Sequence, residues 1–506
     1  MIKKLLIANR GEIAVRIIRG AREMGVRTVA VYSEADEKSM HVALADESYC
    51  IGEPEPSKSY LDAAKILKVA KECGADAIHP GYGFLSERAE FSEACAKNGI
   101  IFVGPPASAM RRLGAKIDAK QLAVENNVPI TPGFFESGAT PKQLEDAAKK
   151  IGYPIMLKAS AGGGGRGMRI VRDPKEFAGE LAVASDEALK AFGDGAMMVE
   201  KLVDRPRHIE VQVLADQHGN VAILYERECS IQRRHQKLIE EAPSALLSIP
   251  DSRSEIQDLW PEMRDAAKRL IAAAGYTNAG TVEFMVDERE GKFYFLEVNA
   301  RLQVEHPVTE LITGLDLVQW QLRIASGEKL NISPEVLAGN RSAINGHAME
   351  VRIVAEDPAH NFLPSIGKIT AWAEPQRPGV RVDTGFGPNS EVSRYYDSLI
   401  AKVIVNADTR PQVIQRMKEA LLDFHILGVK TNIGYLLSIL DHEEFKAGNI
   451  DTGFLGREFP DWIANGQIPK ELGAILENAS AQATAQEVSH QETGAWALAD
   501  GFRNAR

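Results

Sequence analysis

Residues 155–171 form the stretch IMLKASAGGGGRGMRIV, whose central glycine run decides how the rest of the chain is interpreted. Apolar residues on both sides predict two strands, so the run joins a strand to a strand. A dinucleotide fingerprint needs a helix after the glycines. A loop between strands can instead fold over a triphosphate and donate backbone N–H groups, because glycine permits close approach and positive φ. The candidate glycines are Gly163, Gly164, Gly165 and Gly167.

Lys158 ends the first of these two strands, just before the glycines. A lysine in that place supplies a compact positive charge for phosphates. The simpler alternatives are a flexible hairpin tip and a solvated strand end, and both remain open for these features taken singly. The chain contains no GxxxxGK[ST] sequence, so a P-loop enzyme is not expected.

Alternating strands and helices precede the glycine run. Strands are predicted at 2–8, 28–32, 76–79 and 100–103, with helices at 11–24 and 60–72. This alternation predicts a Rossmann-like parallel sheet with helices on both faces. We expect this α/β unit to span residues 1–113.

The chain after residue 113 changes character twice. A helix near 115–127 leads into a compact α+β insert at about 131–203, which holds the glycine run and has the pattern of a nucleotide lid. Strand-like runs such as HIEVQVLAD (208–216) and KFYFLEVN (292–299) then predict a large, mainly antiparallel sheet. Helices are predicted at 253–274 and 309–326. We therefore expect a nucleotide domain at 114–330, a mainly antiparallel α+β domain at 331–446, and an extension of unknown role at 447–506.

The densest chemical motif is EVNARLQVEHP at 297–307. Glu297 and Asn299 alternate along a strand and so share one face, and Glu283 lies on the preceding strand across the predicted hairpin. Two carboxylates and an amide oxygen suit Mg²⁺, or Mn²⁺, beside nucleotide phosphates. The alternative is a salt-bridged sheet face.

The same motif continues with groups suited to an anion. Arg301, followed by Gln303, offers a fork that matches a planar carboxylate-like anion, and Glu305 could act as a base. A second candidate anion pocket is the basic segment CSIQRRHQK at 229–237, with Gln232, Arg233, Arg234, His235 and Lys237. A solvated loop is the alternative for that segment.

Composition limits the function classes. The 506 residues carry a formal net charge of −11, which argues against a nucleic-acid surface. Four widely spaced cysteines suggest neither a disulfide framework nor a zinc cluster. No run approaches the ~18 apolar residues of a membrane span, and the N-terminus is too short in apolar residues for a signal peptide. We expect a cytoplasmic protein that binds neither nucleic acid nor membrane.

Together these motifs resemble the biotin carboxylase family of ATP-grasp enzymes. The resemblance covers roughly residues 1–446 and rests on blocks in the family's order: IANRGEIAVRIIR (7–19), HPGYGFLSE (79–87), KASAGGGGRGMR (158–169), EKLVDRPRHIEVQVLAD (200–216), ERECSIQRRHQK (226–237), EVNARLQVEHPVTE (297–310), GHAMEVRIVAEDP (346–358) and YYDSLIAK (395–402). No motif position departs from the pattern.

The resemblance implies a role for each candidate residue. It implies an ATP site built from Lys116, Lys158, the glycine loop, Glu200, Lys201, Leu202, Val203, His208, Gln232 and His235. Glu283, Glu297 and Asn299 would hold Mg²⁺, and Lys237, Arg301, Gln303 and the backbone of Val304 would hold bicarbonate. Glu305 would be the general base, Arg352 would stabilise the biotin enolate, and Tyr82 would contact biotin.

The resemblance also implies a reaction and its partners. Bicarbonate attacks the γ-phosphate of ATP, and the resulting carboxyphosphate yields CO₂, which carboxylates biotin. The only Met-Lys pair, Met417-Lys418, lies in a predicted helix and is a poor site for attaching biotin. We therefore expect biotin on a separate carrier protein, a separate carboxyltransferase subunit, and a homodimer.

Rival interpretations remain. A pyruvate carboxylase-type subunit and another ATP-grasp ligase share the motifs. A dehydrogenase is not favoured, because this chain lacks a dinucleotide fingerprint between a strand and a helix. A non-catalytic scaffold is not favoured either, because it would not need complete sets of metal, anion and base residues. The final acceptor is open among acetyl-CoA, propionyl-CoA, another acyl-CoA and pyruvate, with an acyl-CoA carboxylase favoured.

Overall fold

A parallel sheet forms the N-terminal part of the computed structural model, which describes residues 1–136, 138–160, 167–248, 259–460 and 462. Five strands lie in the order β3-β2-β1-β4-β5. They are β1 Lys4–Ile7, β2 Arg27–Tyr32, β3 Glu47–Cys50, β4 Ala77–His79 and β5 Ile101–Phe102, flanked by α1 Gly11–Glu23, α2 Met40–Leu44, α3 Ala63–Cys73, α4 Ala89–Lys97 and α5 Ala107–Gly114. The predicted parallel sheet is confirmed, and β3 is an additional strand.

The insert predicted as a lid has its own sheet and its own core. Its elements are α6 Lys116–Glu125, β6 Gly133–Phe134, α7 Pro141–Ile151, β7 Ile155–Ala159, β8 Met168–Val171, α8 Phe177–Phe192 and β9 Met197–Lys201. The strand order is β6-β9-β7-β8. Leu157 and Val199 pack against Ala184 of α8 in a separate apolar cluster. β7 pairs antiparallel with β8, so the glycine run joins two paired strands as predicted. Gly163, Gly164 and Gly165 lie outside the described residues.

An eight-stranded sheet carries most of the candidate site. Its order is β14-β13-β10-β11-β12-β15-β22-β20, and its strand pairs are antiparallel. The strands are β10 Arg207–Ala215, β11 Val221–Arg233, β12 Gln236–Ala242, β13 Asn278–Asp287, β14 Lys292–Asn299, β15 His347–Val354, β20 Val380–Thr384 and β22 Leu399–Ala407. This one sheet takes strands from both sides of residue 330, where a domain boundary is predicted.

Helices cover this sheet, and three two-stranded sheets and further helices complete the described chain. The helices between strands are α9 Ala245–Ser248, α10 Leu259–Ala273, α11 His306–Thr313, α12 Leu317–Ala325 and α13 Pro334–Leu337. The remaining elements are β16 Glu356–Asp357, β17 Leu363–Pro364, β18 Gly367–Lys368, β19 Ala371–Ala373, β21 Glu391–Val392, α14 Arg410–Asp423, β23 His425–Leu427, α15 Ile433–Asp441, α16 Glu443–Lys446 and α17 Phe454–Glu458. In the described part of the chain, no helix has both the length and the apolar character needed to cross a membrane.

The helix predicted at 309–326 is two helices. Gly314 adopts a left-handed conformation (φ 71°) and ends α11, and the Asp316 side chain accepts a hydrogen bond from the Gln319 N–H to begin α12. The glycine supplies the positive φ that a helix C-terminus favours. α11 packs against β11, β12, β15 and β22 of the eight-stranded sheet, and Glu305 lies immediately before its first residue.

A buried ion pair fastens α14 to the central sheet. Glu241 on β12 accepts hydrogen bonds from Arg410 Nε at 2.7 Å and Arg410 Nη2 at 3.1 Å, and it lies 2.8 Å from His347 Nε2. Burial raises the pKa of Glu241, but Arg410 and His347 outweigh burial and lower it to about 2. The charged form of Glu241 therefore stabilises the folded chain.

Replacing Glu241 with Gln is expected to lower the free energy of unfolding by about 3 kcal/mol at pH 7, the scale of breaking a buried pair. Because the folded-state pKa is depressed, this stabilisation is present above the unfolded pKa of ~4.3 and is lost as pH falls toward 2. The deficit of the Glu241→Gln variant should therefore shrink below pH 4.5. Urea unfolding of both proteins across this pH range measures it. Glu419→Gln, an exposed paired residue on α14, is the matched control and should change stability much less. An equal loss in both variants would contradict the assignment.

Candidate active site

Three glutamates lie in a row across adjacent strands of the eight-stranded sheet. Glu210 on β10 is opposite Glu283 on β13, and Glu283 is opposite Glu297 on β14. Asn299 donates from Nδ2 to Glu283 Oε1 at 2.6 Å, which brings the three predicted metal ligands to one hairpin. The register shifts between Phe284 and Glu283, where the β14 strand has one extra residue.

The charge balance at this hairpin suits a divalent cation. Burial raises the pKa of Glu297, the charge of Glu283 raises it further, and Lys116 opposes both. Two neighbouring carboxylates, one of them destabilised in its charged form, are relieved by an added cation. Carboxylate and amide oxygens are also the ligands that Mg²⁺ prefers. Glu283, Glu297 and Asn299 therefore fit the metal that their spacing predicts.

Lys237 connects the metal row to the candidate base. Its ammonium lies 2.7 Å from Glu305 Oε1 and 3.3 Å from Glu283 Oε1, and it also contacts Glu210 directly. Burial lowers the pKa of Lys237, but the three carboxylates outweigh burial and raise it well above its ordinary value. Burial and the charge of Glu305 raise the pKa of Glu210 to about 7. The Lys237 ammonium thus contacts the carboxylates of Glu210, Glu283 and Glu305 at the same time.

Glu305 is fully buried immediately before α11 and is held by two cations. Arg352 Nη2 donates to Glu305 Oε2 at 3.0 Å, on the side opposite Lys237. Burial raises the pKa of Glu305, but Lys237, Arg352 and Arg227 outweigh burial and hold it well below its ordinary value. Arg352 also donates from Nε to Glu240 Oε1 at 2.6 Å. Glu305 is therefore deprotonated at neutral pH, which is the form that a general base needs before it accepts a proton from a bound acid.

Arg301 extends from the end of β14 and is fixed by three neighbours. It donates to Glu87 Oε2 at 3.1 Å, to Gln303 Oε1 at 2.9 Å and to Asn299 Oδ1 at 2.9 Å. The backbone N–H of Ala300 also donates to Glu87, at 3.1 Å. The predicted anion fork is therefore beside the metal hairpin and close to Gln303, which donates to Glu283 at 3.2 Å.

The candidate nucleotide residues of the insert meet around Glu200. Lys158 on β7 and Lys120 on α6 both bind this buried carboxylate, at 2.5 and 2.6 Å. Burial raises the pKa of Glu200, but the two lysines outweigh burial and lower it to about 2. Gly167, at the end of the glycine run, has φ +68°, and a Cβ there would lie 3.0 Å from the Ala159 Cβ.

The strand end predicted to contact adenine follows Glu200. Lys201 ends β9, and its N–H donates to Pro132 O at 2.8 Å, while the Leu202 N–H donates to Pro154 O at 3.2 Å. Lys201 Nζ pairs with Glu290 at 3.0 Å, away from Glu200. Val203 is buried. The roles of these residues toward adenine stay predictions.

The two candidate histidines reach the site from different strands. His208 Nε2 lies 2.9 Å from Glu283 Oε2, so this ring contacts the metal hairpin. His235 forms the turn between β11 and β12 with φ +65°, and burial and the charges of Lys158 and His208 lower its pKa. Gln232 is opposite Lys237 in this hairpin. The basic segment at 229–237 is thus part of the β11–β12 hairpin, and the side chain of its Lys237 lies in the candidate site.

Tyr82 lies on the loop after β4 and donates its hydroxyl to Glu12 Oε1. Burial and the charge of Glu12 raise the pKa of Tyr82 well above its ordinary value, and Arg352 opposes them. Asn9 donates to the carbonyls of Pro80 and Tyr82 at 2.7 and 2.8 Å and holds this loop. The predicted biotin-side tyrosine is therefore held by Glu12 on a loop that Asn9 fixes.

Several residues that contact the candidate site or its surroundings were not among the sequence predictions. They are Glu12, Glu87, Lys120, Glu210, Arg227, Glu240 and Lys402. A signal existed for Glu210, because it alternates with the predicted His208 on β10 and so shares its face. Arg227 could have been found in the same way, opposite Glu210 on β11.

Comparisons with known proteins cover most of the chain. Family models match residues 1–110 (biotin carboxylase, N-terminal domain), 115–333 (carbamoyl-phosphate synthase L chain, ATP binding domain) and 350–457 (biotin carboxylase C-terminal domain). Biotin carboxylase 1 of Bacillus subtilis is 49% identical over 455 residues, which are 90% of this chain and 98% of that protein. The mitochondrial methylcrotonoyl-CoA carboxylase subunit alpha of Rattus norvegicus is 49% identical over 94% of this chain, which spans 66% of that longer protein.

Solved structures agree. The biotin carboxylase domain dimer of 2-oxoglutarate carboxylase from Hydrogenobacter thermophilus, in complex with MgADP, ADP and bicarbonate, has a TM-score of 0.85 and 46% identity, covering 91% of this chain and 98% of that one. Biotin carboxylase from Campylobacter jejuni has a TM-score of 0.84 and 44% identity, covering 90% and 99%. Family models that span most of the chain, together with these relatives and solved structures, show that this chain belongs to the biotin carboxylase family of ATP-grasp ligases.

Proposed function

We propose that this chain is an ATP-dependent ligase that carboxylates biotin with bicarbonate. The observation that carries the proposal is that two cations bind Glu305, Lys237 at 2.7 Å from one carboxylate oxygen and Arg352 at 3.0 Å from the other. This carboxylate adjoins both the predicted bicarbonate residues and the predicted biotin residues. The base that deprotonates bicarbonate therefore lies beside the arginine that the biotin step uses.

The ATP side of the site uses the insert and the metal hairpin. Lys116, Lys158 and the glycine loop bind phosphates, the strand end at 200–203 binds adenine, and His208, Gln232 and His235 complete the nucleotide site. The buried Glu200 orients Lys158, since it binds that lysine directly. When bound at Glu283, Glu297 and Asn299, Mg²⁺ neutralises phosphate charge.

The bicarbonate side uses Arg301, Lys237, Gln303 and the backbone of Val304. Arg301 and Lys237 bind the anion, and Glu305 accepts its proton as a bicarbonate oxygen forms a bond to the γ-phosphorus. The bond from that phosphorus to the β-phosphate bridging oxygen breaks, and ADP leaves. Positioning by fixed cations lowers the barrier, because donors need no rearrangement when charge develops.

The biotin side uses Arg352 and Tyr82. Carboxyphosphate breaks down to CO₂ and phosphate, and phosphate takes the N1 proton of biotin. Arg352 then balances the negative charge that develops on the ureido oxygen. Biotin N1 forms a C–N bond to CO₂ and gives carboxybiotin.

The metal ligands predict a measurable requirement. Replacing Glu297 with Gln removes one carboxylate of the hairpin, so the Mg²⁺ concentration for half-maximal turnover should rise by at least about tenfold, the scale seen even for outer partners of metal sites. Mn²⁺ binding to the nucleotide-free protein should weaken in parallel. Glu262→Gln, an exposed residue of α10, is the control. An unchanged metal requirement would refute the ligand set.

Release of ADP from Mg-ATP and bicarbonate, with and without free biotin, tests the proposed function. Turnover that depends on bicarbonate and is stimulated by biotin is the expected result. A non-catalytic scaffold would show no turnover. Another ATP-grasp ligase would show no response to biotin.

Partners and domain roles extend the proposal. The chain covers about two thirds of its methylcrotonoyl-CoA carboxylase relatives, and their name favours an acyl-CoA as the final acceptor. We propose a biotin carrier protein and a carboxyltransferase as partners, a homodimer, and a cytoplasmic location. Residues 1–113, 114–330 (lid about 131–203) and 331–446 would act as the N-terminal, ATP-grasp and C-terminal domains, followed by the extension at 447–506. Adding a biotinylated carrier protein in trans should stimulate ADP release more than free biotin does.

A further inference from the structure

Lys402 is a fully buried lysine that the reaction above does not use. It lies on β22, directly opposite Arg352 of β15 and Asp383 of β20. Residues opposite one another in an antiparallel pair project from the same face of the sheet. Lys402 therefore belongs to the same row of charges as the biotin-side arginine.

The contacts of Lys402 connect two parts of the site. Its ammonium donates to the carbonyl oxygen of Val304 at 2.6 Å and lies 3.5 Å from Glu12 Oε1. The same Glu12 oxygen accepts the hydroxyl of Tyr82. A buried path thus runs from Tyr82 through Glu12 and Lys402 to the peptide that leads into Glu305.

The short hydrogen bond of Lys402 goes to a neutral carbonyl, although three carboxylates surround the ammonium. Glu350 and Asp383 lie 3.9 Å away and Glu12 3.5 Å, farther than the Val304 oxygen. Burying an ammonium is costly unless carboxylates compensate it. The carboxylates therefore keep the lysine charged, and its directed bond fixes the Val304 peptide.

Close backbone packing supports Glu12 in its place. Gly385, which follows β20, approaches the start of α1 so closely that a Cβ would lie 2.6 Å from the Gly11 carbonyl carbon. Only a glycine permits this approach. The start of α1, which carries Glu12, therefore packs directly against the end of β20, next to the strands that carry Lys402 and Asp383.

We propose that Lys402 is a positioning residue that holds the Val304–Glu305 peptide and, through Glu12, ties it to Tyr82. This inference rests on the proposed function. Through these contacts, biotin at Tyr82 influences how the bicarbonate side of the site is held.

Replacing Lys402 with Met tests the first link by steady-state ADP release from the full chain. We expect kcat/KM for bicarbonate to fall about 10²-fold, the scale of a 1 Å misplacement in a site, while KM for ATP stays within about twofold. Lys446→Met, an exposed paired lysine, is the matched control. A purely structural role would change the ATP and bicarbonate parameters together, and that result would overturn the proposal.

Replacing Glu12 with Gln tests the second link and retains the Lys402 bond to Val304. The bicarbonate dependence should change little, while the stimulation by free biotin should fall about tenfold or more. An unchanged biotin stimulation in the Glu12→Gln protein would overturn the proposal. This test does not depend on whether the Lys402→Met protein folds. Wild-type protein that shows no biotin stimulation would instead reject the proposed function.

Discussion

Replacing Glu305 with Gln should lower bicarbonate-dependent ADP release by about 10²- to 10⁴-fold, the range over which a positioned general base contributes. The substitution keeps the size and the hydrogen-bonding reach of the side chain but removes its ability to accept a proton. Glu305 is fully buried between Lys237 and Arg352, so no solvent-exposed carboxylate replaces it at that position. Initial rates at saturating Mg-ATP and varied bicarbonate give the effect.

Nucleotide binding separates this loss from a general defect. The residues that bind Lys158, namely Glu200 and its strand, do not contact Glu305 in the described structure, so the affinity of the variant for Mg-ATP should stay within about twofold. Glu443→Gln, an exposed substitution of the same kind, should retain wild-type turnover. A Glu305→Gln protein with more than about a tenth of wild-type turnover would exclude Glu305 as the base.

Much of the fold could be predicted because periodicity encodes it locally. The alternating run on β10 and the strand–glycine–strand pattern of β7 and β8 are properties of neighbouring residues, and both are confirmed. The hairpin of β11 and β12 was missed because its turn carries no usual signal. Arg234 and His235 adopt φ of 50° and 65° there, whereas such turns normally use Asn-Gly or Asp-Gly.

From the sequence, only those candidate-site residues that are close together in the chain could be grouped. Glu297, Asn299 and Arg301 follow one strand and its exit, so one sequence motif contains them. Lys120 and Glu87 come from elements far away in the chain, and each looks like an ordinary polar residue until the fold brings it to Glu200 or Arg301. Partners of this kind depend on tertiary packing and leave no local pattern.

Charge is the part of the site that the sequence specifies least. A fully buried glutamate is normally destabilised in its charged form. Glu305 and Glu210 share Lys237, yet the pKa of Glu305 is well below its ordinary value, while burial and Glu305 raise that of Glu210 to about 7. Glu210 also has two cations, Lys237 and Arg227, but the negative charges of Glu305 and Glu283 act against its ionisation. Proton affinity at this site is therefore decided by the neighbouring carboxylates as well as by the cations.

Replacing Arg352 with Ala should lower the carboxylation of biotin by about 10²- to 10³-fold, the cost of removing one donor to a developing oxyanion. Removing this cation also raises the pKa of Glu305, because Arg352 is one of the charges that hold it down. A base works only above its pKa, so the acid limb of the pH–rate profile should move to higher pH. Carboxybiotin formation and bicarbonate-dependent ADP release, both followed across pH, measure the two effects.

Loss of Arg352 leaves Glu240 without the guanidinium whose Nε and Nη2 both contact its Oε1, and the single variant loses stability for that reason. The double variant Arg352→Met with Glu240→Gln removes both charges of this pair and keeps the test interpretable. It should remain folded, release ADP with bicarbonate more readily than it carboxylates biotin, and retain the shifted pH profile. Unchanged carboxylation in the folded variant would show that the charge on the ureido oxygen is balanced by another group, and the assignment of Arg352 to the biotin step would then be wrong.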